Sequence, residues 1–326
     1  MEGKKLISIL VPAYNEQEVL YMLYDRLKNL IDKNTKYNFE ILLVNDGSTD
    51  NTFKIMQELR QKDKRVCYLN LSRNFGKETA MIAGLDYCNG DAVVIMDADL
   101  QDPPELIQEM IKYWEEGYDD VYARRRSRKG ESFLKKFTSA MYYRVLQAFT
   151  KIKIQKDTGD FRLLDRRCIE ALKSIRESQR YTKGLFSWIG YNKKEILYDR
   201  DPRAAGKTKW NYRKLVNLSI DGITSFTTSP LRWSAKLGVL VSIIGFVYML
   251  YIIIKTVVSG VDVPGYASTM VVILFLGGIQ LIFLGVIGEY VGRAFYETKG
   301  RPLYFIDQYN EIKETNKNLN KPRNLL

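Results

Sequence analysis

The 326-residue sequence contains no histidine. That removes His-ligated metal centres, Ser-His triads and imidazole general bases from consideration. Any metal the chain holds must sit on oxygen donors, which favours Mg²⁺ or Mn²⁺ over Zn²⁺. Cysteine is scarce. Cys67, Cys88 and Cys168 stand far apart with no CxxC, so buried free thiols are expected rather than a disulfide framework or a zinc site. The opening MEGKKLISILVPAYNE lacks the long apolar run and small-residue cleavage site of a signal peptide, and reads as the first strand of a cytosolic domain. Acidic residues are outnumbered: 38 Asp+Glu against 50 Lys+Arg, a net charge of +12. Such a balance points to an anionic partner, whether nucleic acid, lipid headgroup or phosphorylated small molecule. With 46% hydrophobic and 27% charged residues, the chain has enough apolar material for a packed core.

Continuous apolar runs alternate with helix-like stretches in the first third. LISILVPAY precedes a helical segment at about 16–31, and FEILLVNDG precedes one at 50–62. VCYLNLS is followed by KETAMIAGLDYC, and AVVIMDAD by PPELIQEMIKYWEEG. This alternation predicts an α/β domain with a mostly parallel sheet and right-handed crossovers. In such sheets ligands bind at the carboxyl ends of the strands. All four runs end in polar residues: Tyr14-Asn15-Glu16, Asn45-Asp46-Gly47, Ser72-Arg73-Asn74 and Asp97-Ala98-Asp99.

The last third changes character. Leu237–Ile254 and Val263–Gly288 carry no charge, and each is long enough to cross a bilayer core of about 30 Å. Two buried core helices are the alternative. Arg232 and Lys236 flank the first run, and Arg293, Lys299 and Arg301 the second. The positive-inside rule then places both termini and the N-terminal domain in the cytoplasm, at a cell membrane. The expected organisation is a catalytic domain at 1–210, an amphipathic juxtamembrane segment at 211–232, two spans at about 235–256 and 266–290 within 233–292, and a cytoplasmic tail at 293–326. Small residues in the spans, among them Gly285 and Gly288, permit helix packing and leave a homo-oligomer open.

The stretch VVIMDADLQDPPE concentrates acid after an apolar run. If the extended form continues, Asp97 and Asp99 share one face, with Gln101 continuing the spacing. Two such carboxylates repel unless a cation lies between them, and Mg²⁺ or Mn²⁺ on few carboxylates completes its shell with water and substrate phosphates. Asp102, Pro103, Pro104 and Glu105 read as the start of the next helix, where proline is tolerated and acid suits the dipole.

Together ILVPAYNE, VNDGSTDNT, LSRNFGKETAM and MDADLQDPPE resemble the nucleotide-sugar (GT-A) domain of glycosyltransferase family 2. The likeness is to the branch of dolichol-phosphate mannose synthases and bactoprenol glucosyltransferases. DTGDFRLLDRR, RAAGKTKW, DGITSFTTSPLR and GEYVGRAFYETKGRPLY extend it over nearly the whole chain. The resemblance implies a nucleotide-diphosphate sugar donor, a divalent metal and a polyprenyl phosphate acceptor in the bilayer. It assigns Pro12, Ala13, Tyr14 and Glu16 to base and ribose. It assigns Asp46 to the base, where a carboxylate can accept from the uracil imide N–H of a UDP-sugar. Tyr14 as a core aromatic and Asp46 as a turn residue before Gly47 stay open. Asp97, Asp99 and Gln101 correspond to the metal and diphosphate site, and Arg125, Arg128, Arg203 and Lys209 to groups that grip phosphate. Thr208 stands where the family usually has serine. Asp160 corresponds to the acid facing the acceptor, with Asp157 as a competing candidate. A lipid phosphate, whose second ionisation lies near pH 6, arrives largely as a dianion. Asp160 therefore either accepts a proton or only orients the acceptor.

The resemblance implies a single inverting displacement that gives a polyprenyl-phosphate sugar, with glucose the first expectation and N-acetylglucosamine or another sugar open. A processive polysaccharide synthase would carry Q-x-x-R-W, but SPLRW has Ser229 in place of the glutamine. The intact Asp97-Ala98-Asp99-Leu100-Gln101 argues against an inactive scaffold. The basic residues gather around the acceptor region and membrane flanks, which argues against nucleic acid as the partner.

Overall fold

The computed structural model describes residues 3–126, 155, 158–178, 180–199, 224, 227–259 and 265–310. Four apolar runs form the parallel strands β1 (Leu6–Ala13), β2 (Asn38–Asn45), β3 (Val66–Leu71) and β4 (Ala92–Ile95). The helices α1 (Leu20–Lys33), α2 (Thr52–Lys62) and α3 (Lys77–Tyr87) connect them, and α4 (Leu106–Glu115) follows β4. Next come β5 (Asp120–Arg125), β6 (Thr158–Asp165), α5 (Arg166–Ser174), α6 (Thr182–Trp188) and β7 (Lys193–Tyr198). One sheet of eight strands results, in the order β7-β5-β6-β4-β1-β2-β3-β8, where β8 is Ile306–Asn310.

The sheet is mixed but mostly parallel. The exceptions are β6, antiparallel to β4 and β5, and β8, antiparallel to β3. Strands buried on both faces explain the continuous apolar runs. One face packs side chains such as Ile9, Val11, Leu23, Met56 and Met110. The other packs Leu10, Val44, Met81, Ile82, Leu172 and Phe186. Cys67, Cys88 and Cys168 are free and buried. Burial pushes the Cys88 and Cys168 thiols well above their ordinary range.

Two long helices follow, α7 (Ser229–Ser259, 31 residues) and α8 (Tyr266–Thr298, 33 residues). At 1.5 Å per residue each is roughly 45–50 Å long, more than a bilayer core needs. Most of their described apolar side chains, among them Val239, Ile243, Phe246, Val271, Phe275 and Leu281, are exposed, so these are not core helices of a folded domain. A Cβ on Gly238 would meet the Phe283 ring, and Tyr290 Oη donates to the Thr227 carbonyl at 2.7 Å, so the two helices pack together. The end of α8 reaches the α/β domain, where Ser178 donates from its N–H and its hydroxyl to Glu297 Oε1 at 2.8 and 2.7 Å. The chain then supplies β8, the edge strand beside β3, from within the segment expected to be a tail.

Candidate active site

The parallel strands place the ends of β1, β2, β3 and β4 on one edge of the sheet. The reversed strand β6 begins at that same edge. Its register pairs Ile95 with Arg162, and continued two residues this sets Asp97 opposite Asp160. The carboxyl ends of β5 and β7 arrive beside them, with Arg125 paired to Tyr198. Asp46, Asp97, Asp99, Arg125 and Asp160 are therefore gathered by topology from four separate segments.

The loops after β1 and β2 are laced together. Asn15 N–H donates to Ser48 Oγ at 3.0 Å, Thr49 N–H to Asn15 Oδ1 at 2.8 Å, and Glu16 N–H to Thr52 Oγ1 at 2.8 Å. Asn15 takes a left-handed φ of 55°, which asparagine tolerates better than most residues. Tyr14 and Glu16 are half-buried at this edge, whereas Pro12 and Ala13 are buried in the last positions of β1.

Asp46 is nearly enclosed, and both its carboxylate oxygens are engaged. Phe75 N–H donates at 2.7 Å and Gly76 N–H at 3.0 Å. Burial raises this carboxyl above its usual range, with the two N–H bonds opposing. Asp46 thus fixes the loop that leads into α3. Its neighbour Gly47 has φ +64°, and a Cβ there would lie 2.4 Å from the Arg73 carbonyl carbon and the Asn74 nitrogen. Gly47→Ala is expected to lower stability by roughly 2 kcal/mol or more, through left-handed strain and this clash. A thermal melt in detergent checks it, and an unchanged midpoint would show that the loop can yield.

The acids after β4 do not share one extended face. The strand ends at Ile95, and the chain turns through 98–100, with Leu100 at φ +58°. Asp99 is buried, and its Oδ1 accepts from the Gln101 N–H at 3.2 Å, an Asx-type turn that takes Gln101 off the expected spacing. Asp102 likewise departs from expectation. It lies buried away from the first turn of α4, and Tyr198 Oη of β7 donates to its Oδ1 at 2.5 Å. Tyr198 in turn faces Arg125, whose guanidinium lies against Gly159.

Lys77, the first residue of α3, is the side chain that the sequence reading passed over. Its ammonium lies 2.6 Å from Asp97 Oδ1 and 2.5 Å from Asp160 Oδ2. Crowding by surrounding protein would lower this half-open lysine, but Asp160 and Asp97 more than reverse that and hold it well above its ordinary range. Asp160 is the mirror case: burial favours its neutral form, yet Lys77 and Lys183 dominate and hold it well below the usual carboxylate range. Among the described residues, Oδ1 of Asp160, Nε of Arg125 and Oε2 of Glu78 are buried without a hydrogen-bond partner. They line a polar centre that the protein alone does not satisfy. No group of three or more acidic, Cys or His ligands occurs among the described residues. Asp97 and Asp99 offer two hard carboxylates, the donor type a divalent ion takes together with water and phosphate, although Lys77 already occupies one oxygen of Asp97. Asp157, Arg128, Arg203, Lys209 and most of 211–232 lie outside the described residues.

Glu78 adds a pH-sensitive element. Burial first, then the Asp160 charge, push its carboxyl up to about 7, against Lys77, Lys183 and the Thr182 N–H. A raised folded pKa means that stability is full below the unfolded value and is lost as pH rises through about 7. Glu78→Gln is therefore expected to gain thermal stability over the native chain at pH 8 relative to pH 5. Parallel melts at the two pH values check this, and an equal difference at both would refute it.

Comparison with known proteins follows the same lines. Residues 8–173 match the family described as Glycosyl transferase family 2, and residues 229–294 match the GtrB C-terminal hairpin. The chain belongs to glycosyl transferase family 2. It is 52% identical over 300 residues to an uncharacterized glycosyltransferase of Synechocystis sp., covering 92% of this chain and 94% of that one. It is 48% identical over 301 residues to an uncharacterized glycosyltransferase of Bacillus subtilis, at 92% and 93% coverage. The bactoprenol glucosyl transferase of Shigella phage SfX is 44% identical over 300 residues, at 92% and 98%. The protein is thus a glycosyltransferase, built as an α/β domain joined to a two-helix hairpin.

Proposed function

We propose that the enzyme transfers a sugar, glucose first among the candidates, from a UDP-sugar to a polyprenyl phosphate such as undecaprenyl phosphate at the cytoplasmic face of a membrane. The observation that carries this reading is one sheet edge where Asp97 and Asp160 share the Lys77 ammonium and Arg125 stands on the neighbouring strand, in a chain whose two long helices expose apolar side chains. The name and identity of the bactoprenol relative support the acceptor class and the sugar.

The chain's own groups divide the work. The laced loops after β1 and β2 present Tyr14 and Glu16 to the nucleoside. Asp46, committed to the loop before α3, retains lone pairs for a base N–H. Asp97 and Asp99 would hold Mg²⁺ or Mn²⁺, which on binding neutralises charge developing on the departing diphosphate. Arg125, with Arg128, Arg203 and Lys209, would hold the acceptor phosphate. Asp160 positions Lys77 rather than taking a proton, because a carboxylate held this far below its usual range is a weak base. The hairpin keeps the domain at the boundary where a soluble donor and a lipid acceptor meet.

The deciding experiment incubates the purified full chain in detergent with undecaprenyl phosphate and a panel of labelled nucleotide sugars. A lipid-linked monosaccharide from UDP-glucose is expected. Transfer from another donor alone would replace the sugar, and no lipid product with any donor would overturn the reading.

A further inference from the structure

Lys77 stands between two acids of different accessibility. The side chain of Asp97 is 28% exposed, that of Asp160 only 9%, and that of Lys77 44%. Asp97 and Asp160 lie just past the last paired residues of β4 and β6, and one ammonium bridges both, with Lys183 also near Asp160. Lys77 is fixed in place by the start of α3, while its long stem leaves the charged head room to move. A second cation arriving from solvent meets Asp97 first, the more open of the two.

We propose that Lys77 competes with the divalent cation for Asp97: the ammonium that bridges Asp97 and Asp160 passes wholly onto Asp160 when that cation binds. The proposal rests on the reading of Asp97 and Asp99 as the cation's holders. Two consequences follow from charge alone. First, the bare enzyme holds a divalent cation weakly, because displacing Lys77 from Asp97 loses a charge-assisted hydrogen bond. Second, a nucleoside diphosphate offers Lys77 a new anionic partner at the moment Asp97 is taken. Nucleotide and cation therefore favour each other's binding. Lys77 is in this sense a positioning residue that couples the donor side of the site, at Asp97, to the acceptor side, at Asp160.

The test is a Mn²⁺ titration of the purified full chain in detergent, reading free Mn²⁺ by its paramagnetic resonance signal, with and without UDP. Lys77→Met is expected to bind Mn²⁺ about tenfold more tightly than the native chain without UDP, the size expected for loss of one charge-assisted competitor. It should also lose most of the enhancement that UDP confers. Lys77→Gln carries the same expectation should the methionine variant fail to fold, and Lys77→Arg, which keeps the cation, should stay within about threefold of the native value. Asp160→Asn should weaken Mn²⁺ binding by leaving Lys77 wholly on Asp97, and this effect should vanish in the Lys77→Met background. A purely structural lysine would not produce tighter binding on removal. Unchanged or weaker Mn²⁺ binding in Lys77→Met and Lys77→Gln overturns the proposal, as does an Asp160→Asn effect that persists without Lys77. Asp97→Asn separates the two levels. If it binds Mn²⁺ as the native chain does, the cation reading itself fails; if it loses Mn²⁺ while Lys77→Met gains nothing, only the competition fails.

Discussion

Asp99→Asn is expected to reduce sugar transfer by about a thousandfold or more while leaving the melting temperature close to that of the native chain. The carboxylate of Asp99 is buried in the turn after β4, and one oxygen holds the Gln101 N–H. Asparagine keeps an oxygen acceptor for that N–H but gives up the negative charge. The variant therefore separates the turn from the chemistry. Loss of a group that stabilises developing charge in a site shielded from water costs roughly 10²–10³ in rate, and loss of a charged cation holder should cost at least as much. Asp99→Ala removes both functions. It should be equally inactive and also less stable, by about 0.5–1.5 kcal/mol for the lost hydrogen bond. Transfer assays with labelled donor, read beside melts of both variants, check the pair. Native-level transfer in Asp99→Asn would remove this carboxylate from the active site.

The parts of this architecture that were legible from sequence are those written in local pattern. Continuous apolar runs such as AVVIM occur because β4 is covered on both faces, and the polar tripeptides after each run mark the carboxyl-end edge of the sheet, where ligands bind in folds of this kind. Asp97 and Asp99 stand out as acids closing an apolar run, and Asp160 is singled out by the family resemblance. Their mutual geometry was hidden. Whether the chain after Ile95 stays extended depends on one left-handed residue, Leu100, which no periodicity announces. Asp102 looked like a helix-start acid, and its true partner, Tyr198, comes from a strand 96 residues away. Lys77 lay inside a motif already noticed, LSRNFGKETAM, but its role depends on β6 running opposite to its neighbours, which decides whether Asp160 or Asp165 reaches the edge. Strand β8 escaped for a similar reason: five residues beyond a pair of long apolar helices carry no local sign that they complete a distant sheet.

Asp160→Asn should lower kcat by about 10²–10³-fold without moving the acidic limb of the pH–rate profile. A positioned proton acceptor works best with a pKa near the operating pH, and Asp160 lies far on the acidic side of that. Although burial alone would raise it, Lys77, Lys183 and Arg162 hold it down. The carboxylate is thus ionised throughout the physiological range, so its titration cannot shape the profile there. With the proposed polyprenyl phosphate as acceptor, the acidic limb should instead follow that phosphate's second ionisation, near pH 6 for a phosphate monoester. The rate loss is expected because Lys77 is no longer shared and stays on Asp97. Stability supplies an independent reading of the same charge. A depressed folded pKa contributes stability above the unfolded carboxylate value, and that contribution is lost as pH falls through the folded value. The variant should therefore melt lower than the native chain at pH 7, with the gap narrowing on acidification. If the acidic limb moves or disappears in Asp160→Asn while the phosphate acceptor is unchanged, Asp160 takes a proton in the reaction and its pairing with Lys77 is secondary.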